Sequence, residues 1–377
     1  MNAQETKGTN ALQELIDDGR VHVMDGAMGT ELYASGVFVN VSYDGLNLET
    51  PDVVETVHRN YVNAGAEVIE TNTFGANPVK LSSYGLADRT EEINHAAVGL
   101  ARRSAQGRAL VVGAIGPLGI RIEPLGPTSR EEAQEFYKRQ VDGLVESGVD
   151  GFVLETFSDL NEMEQAFKAV RSRSPLPVIC QVTVGDDACT SYGTSPEDVA
   201  TEVASWGASV IGLNCSVGPA VMLEAVERMA EVTDLPLSAQ PNAGLPRAVG
   251  DRKIYLASPK YMAQYARRMI EAGARFVGGC CGTSPEHIRS IRALVGGVRP
   301  PSTRARPGSH AESHDTPIQP EVPLGERSVW GRQIAEGTFV TSVEVTPPKG
   351  WNAEVLLEQC RRIQAAEANT VNVLDHP

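Results

Sequence analysis

Gly148-Val149-Asp150-Gly151-Phe152-Val153-Leu154-Glu155-Thr156-Phe157 is the stretch on which the fold turns. A glycine closes the amphipathic segment 131–146. The apolar run 151–154 is short enough for a fully buried parallel strand, and a polar loop opens at Glu155. The same unit recurs at 21–24, 67–69, 109–112, 178–184, 209–213, 236–239 and 275–277, which with 151–154 makes eight runs. Helical spacing fills the gaps at 90–105, 195–206 and 259–271, and Gly65, Gly207 and Gly273 close helices as Gly148 does. Eight alternating units can close as a barrel or open as a doubly wound sheet. The unusual loops, 25–30, 70–75, 113–117, 155–157, 214–216, 240–244 and 279–282, all follow strands. A barrel gathers loops of that kind on one face, whereas an open sheet uses a single switch point. The expected fold is therefore α/β, a (β/α)8 TIM barrel.

A barrel of about 250 residues occupies most of the 377-residue chain. We expect it at 12–296, then a Pro-, Ser-, Gly- and Arg-rich linker at 297–327, then an incomplete second α/β segment at 328–377. A formal charge of -15 argues against nucleic-acid or anionic-membrane partners, which need clustered Lys and Arg. No signal core and no run of roughly 20 apolar residues is present, so the expected location is cytoplasmic. Six cysteines in so long a chain point to metal or catalysis rather than a disulfide scaffold.

Cys280 and Cys281 are adjacent and flanked by Gly278, Gly279 and Gly282. Neighbouring side chains on a regular strand face opposite ways, so the pair can share one metal only where the backbone bends, which the glycines permit. Cys215 follows the sixth run and would face the same barrel mouth. Three thiolates could then hold one zinc with a fourth position open; the bland alternative is buried cysteines acting as small hydrophobes. Cys180, Cys189 and Cys360 are expected to be ordinary. Histidine is missing from these loops: His22 opens a strand, and His58, His95 and His287 sit in helical stretches. Three thiolates leave zinc a poor Lewis acid for water but suit it to bind a substrate thiol as thiolate, which makes that sulfur the nucleophile.

Asp25-Gly26-Ala27-Met28-Gly29-Thr30-Glu31-Leu32, Glu70-Thr71-Asn72-Thr73-Phe74, Gly212-Leu213-Asn214-Cys215, Pro241-Asn242-Ala243-Gly244 and Gly278-Gly279-Cys280-Cys281-Gly282 closely resemble, in order over about 12–296, the homocysteine-binding methyltransferases. The resemblance implies a barrel, Zn2+ on Cys215, Cys280 and Cys281, and methyl transfer to L-homocysteine giving methionine. The alternatives are a homocysteine-activating module serving a separate methylcobalamin domain, and a non-catalytic zinc-stabilised thiol-binding module. The methyl donor stays unnamed, and homo-oligomerisation is compatible with every version.

Homocysteine also carries an ammonium and a carboxylate. Asp25 and Glu155 end strands where a carboxylate could hold the ammonium, and Gly26, Ala27 and Met28 could offer N–H groups to the carboxylate. Plainer roles are a turn for Asp25 and a rim ion pair for Glu155. The family's motif places Asn242 near the metal, against a turn-forming role. Glu70, Thr71 and Asn72 line the mouth with no separable roles. Gly113, Gly116 and Gly119 do not make a dinucleotide fingerprint.

Ser342-Val343-Glu344-Val345-Thr346-Pro347-Pro348-Lys349-Gly350 resembles the opening strand and loop of methylenetetrahydrofolate reductase, with Glu344 at its catalytic acid and 371–373 as its second strand. The resemblance implies a piece of a two-domain protein. FAD would be expected only with the missing reductase domain.

Overall fold

A computed structural model describes residues 10–38, 40–249, 252–295, 323–345, 354–366 and 368–373. Eight parallel strands carry the fold: β1 (His22–Val23), β2 (Val68–Glu70), β3 (Leu110–Ile115), β4 (Gly151–Phe157), β5 (Val178–Val182), β6 (Val210–Asn214), β7 (Leu237–Gln240) and β8 (Ala274–Val277). They pair in the order β1-β8-β7-β6-β5-β4-β3-β2. The ring closes between β1 and β2 through a parallel bridge of Met24 with Val68 and a 2.7 Å bond from Glu67 N–H to Val23 O. The result is a TIM barrel, not an open sheet. The expected helix ends hold: Gly65, Gly148, Gly207 and Gly273 take φ of 104°, 78°, 88° and 118°, where a side chain would be strained.

Alternate strand residues face opposite ways, and the core divides accordingly. Val111, Phe152, Leu154, Cys180 and Ile211 pack outward under the helices. Met24, Val68, Val112, Val153, Ile179, Val210 and Phe276 pack together as a separate interior cluster. Two further residues of that cluster, Leu12 and Ile16, come from the helix Ala11–Asp17, which plugs the end of the barrel away from the mouth. Asn10 caps this helix by accepting from Leu12 N and Gln13 N, and its amide donates to Asp150 O at 3.0 Å. The plug has no periodic signature in the sequence. Leu12 is fully buried, and Gly151 is a glycine because a Cβ there would lie 2.3 Å from the Leu12 side chain. Leu12→Ala is expected to destabilise the barrel by about 3 kcal/mol, through lost transfer energy and a cavity, measured as the midpoint of urea unfolding. A midpoint equal to wild type would remove the helix from the core.

The second unit, beyond residue 303, is described by itself. Ser342–Val345 and Thr370–Val373 pair in parallel with Glu344 opposite Asn372, and the helix Glu354–Ala365 lies between them in sequence. The strand expected at the start of the 342–350 stretch is present as Ser342–Val345, and the last residues of the expected linker form a short helix, Leu324–Arg327. Linker positions 297–322 and the loop Pro347-Pro348-Lys349-Gly350 lie outside the described residues. Among the described residues no helix is long and apolar enough to cross a membrane.

Candidate metal and substrate site

The thiols of Cys215, Cys280 and Cys281 come together at the mouth, all three sulfurs lying within 4.8 Å of one another and those of Cys215 and Cys281 at 3.7 Å. Cys215 sits just past β6, where regular alternation would turn it away from its neighbour Asn214. Its φ is 59° and that of Ser216 is 55°, two consecutive left-handed residues of a kind that costs roughly 1–3 kcal/mol each. Hydrogen bonds hold that turn: Cys215 N–H donates to Gln240 O at 3.1 Å and Asn242 N–H to Val217 O at 3.1 Å. The Cys280–Cys281 bend is pinned by Cys280 N–H to Pro241 O (2.9 Å), Ala243 N–H to Cys281 O (2.9 Å) and Thr283 Oγ1 to Cys280 O (2.7 Å). Gly282 closes the bend at φ 79°, and a Cβ there would strike the Tyr255 ring at 2.2 Å.

Crowded sulfurs share charge unevenly. Hydrogen bonds from Cys215 and then Cys280 bring the Cys281 thiol down to about 3. Bonding to Cys215, then Cys281, holds Cys280 well above the usual thiol range. Cys215, favoured by Cys280 but opposed by Cys281 and by burial, goes up to about 11. One thiol therefore ionises readily and the others resist, because each thiolate disfavours the next. Cys180 packs in the outward core, where burial pushes its thiol up, and it lies outside the three-thiol group.

Glu155 lies on an irregularity of β4, where the register to β5 shifts and Thr156 takes φ 62°. Asn214 clamps it: its Nδ2 donates to Glu155 Oε2 (3.0 Å) and Thr156 Oγ1 (2.8 Å), while its Oδ1 accepts from Thr156 N–H (2.7 Å). Burial first, then repulsion from Glu70, holds the Glu155 carboxyl well above its usual range. Asp25, 3% exposed, accepts from Glu70 N–H at 3.0 Å and is pushed up by burial and then by Glu70. Burial takes Glu70 up to about 7. Asn242 is buried with its Oδ1 unpartnered.

Of the three expected amides, that of Ala27 donates to Thr283 Oγ1 at 3.1 Å. A Cβ on Gly26 would meet Thr283 and Tyr61 within 3.0 Å. Met28 opens the helix Met28–Ala34, whose first turn has unmatched N–H groups. Residues that sequence reasoning left without a role, or did not name, complete the mouth: Glu70, Asn214, Gln240, Thr283 and Tyr255. Period-two parity could have found Asn214, two residues beyond Gly212 on one face of β6; nothing local marks Tyr255, whose ring covers Gly282. Beside the mouth, a cavity of about 410 Å3 is lined by Tyr43, Asp44, Phe74, Lys80 and Tyr84 among others.

Residues 22–295 match the family model for homocysteine S-methyltransferase. Methionine synthase of Mycobacterium tuberculosis is 36% identical over 301 residues, 75% of this chain and 25% of that protein. Methionine synthase of Mycobacterium leprae is 34% identical over 311 residues, 78% of this chain and 26% of that one. The chain thus spans about a quarter of the length of these relatives. The crystal structure of the homocysteine methyltransferase MmuM from Escherichia coli, metallated form, matches with a TM-score of 0.65 and 27% identity, covering 75% of this chain and 99% of that one. Matched from β1 to the end of the helix that follows β8, the chain belongs to the homocysteine S-methyltransferase family.

Proposed function

We propose that this chain transfers a methyl group to the thiol sulfur of L-homocysteine, giving methionine, with zinc held by Cys215, Cys280 and Cys281. The observation that carries this is the convergence of three thiols from two separate strand ends beside the buried Asp25 and half-buried Glu155 carboxyls. Three soft sulfur donors fit zinc, and among the described residues no fourth His, Cys, Asp or Glu joins the group. Bound zinc would supply a site that keeps a substrate thiol ionised at neutral pH. Asp25 and Glu155 would hold the ammonium, and N–H groups of Gly26, Ala27 and Met28 the carboxylate, which orients the sulfur. The sulfur attacks the methyl carbon in line and the donor departs without it. Asn214 keeps Glu155 in place throughout. The cavity at Tyr43, Asp44 and Lys80 gives a donor room beside the mouth.

A second reading, activation of homocysteine for a methylcobalamin segment elsewhere, is favoured by the short coverage of the methionine synthases. Methyl transfer assayed with S-adenosylmethionine, S-methylmethionine, betaine, methyltetrahydrofolate and methylcobalamin separates the two. Turnover with none of the five counts against both.

We also propose that the barrel at 12–296 is a domain of its own and that residues 328–377 begin a reductase-like barrel, with Glu344 on its first strand. A parallel strand pair separated by one helix is what such a beginning requires. FAD is not proposed for this segment. A chain ending at Arg299 is expected to fold, keep its zinc and bind homocysteine as the full chain does, judged by circular dichroism, metal content and calorimetry. Unfolding or zinc loss would make the tail part of the first domain.

A further inference from the structure

We propose that Glu70 is a third carboxylate for the substrate's α-ammonium and thereby sets the site's preference for an amino acid over a plain thiol. The proposal rests on the homocysteine reading and deepens it. Asp25, Glu70 and Glu155 stand at the ends of β1, β2 and β4, close enough that Glu70 repels both of the others. Among the described residues no Lys or Arg closes an ion pair with any of them. The cation that Glu155 senses, Lys80, sits 4.2 Å over the Phe74 ring instead. One buried carboxyl and two half-buried ones, without a protein cation, are costly unless a ligand supplies the charge.

The second observation is how Glu70 is held. Gln181 Nε2 donates to Ser238 Oγ at 3.1 Å and to Gln240 Oε1 at 2.7 Å. Gln240 Nε2 in turn donates to Glu70 Oε1 at 2.8 Å. One carboxylate oxygen is thus tied down across the barrel while Oε2 has no partner among the described residues. In the same network the fully buried Gln181 has an unpartnered Oε1, an acceptor lacking a donor. An ammonium has three N–H donors. Asp25 and Glu155 can take two, which leaves the free Oε2 of Glu70 as the acceptor for the third. The other titratable groups that sense this set are Lys80, Cys215 and Cys281, which face Glu155, and Tyr61, which faces Asp25.

The test is calorimetric binding, to the zinc-loaded full chain, of L-homocysteine and of 4-sulfanylbutanoate, the same molecule without its amine. Glu70→Gln keeps the bond from Gln240 and removes only charge. It is expected to weaken homocysteine roughly ten-fold or more, the scale of one charge-assisted bond, and to change 4-sulfanylbutanoate less than about two-fold. Zinc content and thermal midpoint should match wild type. Glu70→Asp should bind homocysteine more tightly than Glu70→Gln. Equal losses for both thiols, no loss for homocysteine, or the reverse order of Asp and Gln each overturn the proposal. Glu155→Gln separates the two levels: if it weakens homocysteine and Glu70→Gln does not, Glu70 alone is wrong. If wild type binds neither thiol, the homocysteine reading fails and takes this proposal with it.

Discussion

Cys280→Ala is expected to leave the chain with less than about a tenth of a zinc per molecule after dialysis, and Cys215→Ala and Cys281→Ala should do the same. Three thiols share the site and none has a substitute within reach among the described residues. If a cysteine-rich site binds zinc with roughly 10–16 kcal/mol, losing one of three ligands forfeits on the order of 3–5 kcal/mol, a hundred- to several-thousand-fold in affinity. Methyl transfer should fall with the metal. Cys180→Ala supplies the control: its thiol packs in the outward core, so the change should lower stability and leave zinc at one per chain. Full occupancy in any of the three site variants would break the ligand assignment, whatever happened to activity.

Glu155→Gln is expected to weaken homocysteine binding about ten- to a hundred-fold while zinc stays bound, since a charge-assisted bond to the ammonium contributes roughly 1.5–3 kcal/mol. Gln can still accept from Asn214, so the clamp on the β4 irregularity should persist. The pH dependence follows from the direction of the shift. Burial and Glu70 hold this carboxyl above its usual range, so its ionised fraction grows as pH rises through the raised value. An ammonium ligand favours the ionised form, so wild-type affinity should fall as the solution is acidified. The variant, with nothing to protonate at 155, should show a shallower fall. Calorimetry at a series of pH values checks both; zinc loss, or identical pH profiles, would remove Glu155 from the ammonium site.

Much of the fold was legible because it is written in local patterns. Gly151 to Phe157 shows the logic: the apolar residues before Glu155 state that the strand is buried on both sides, and the carboxylate after them states where the strand meets the mouth. Repeated eight times, that pattern leaves a barrel or an open sheet, and the clustering of odd loops after strands favours the barrel. The cysteine triple was legible for a related reason: residues at the ends of β6 and β8 share a face in any closed barrel.

What tertiary structure alone decided lies between residues far apart in the chain. Ala27 donates to Thr283 across 256 positions. Glu70 is held by Gln240 across 170 positions, and Leu12 plugs a barrel whose nearest wall begins at Gly151. The left-handed turn at Cys215 and Ser216 is built from residues with no preference for it, so the surrounding hydrogen bonds must impose it. Periodicity encodes which face of an element is buried. It does not encode which two buried side chains, brought by different strands, end within hydrogen-bond distance, because that depends on registers set only when the ring closes.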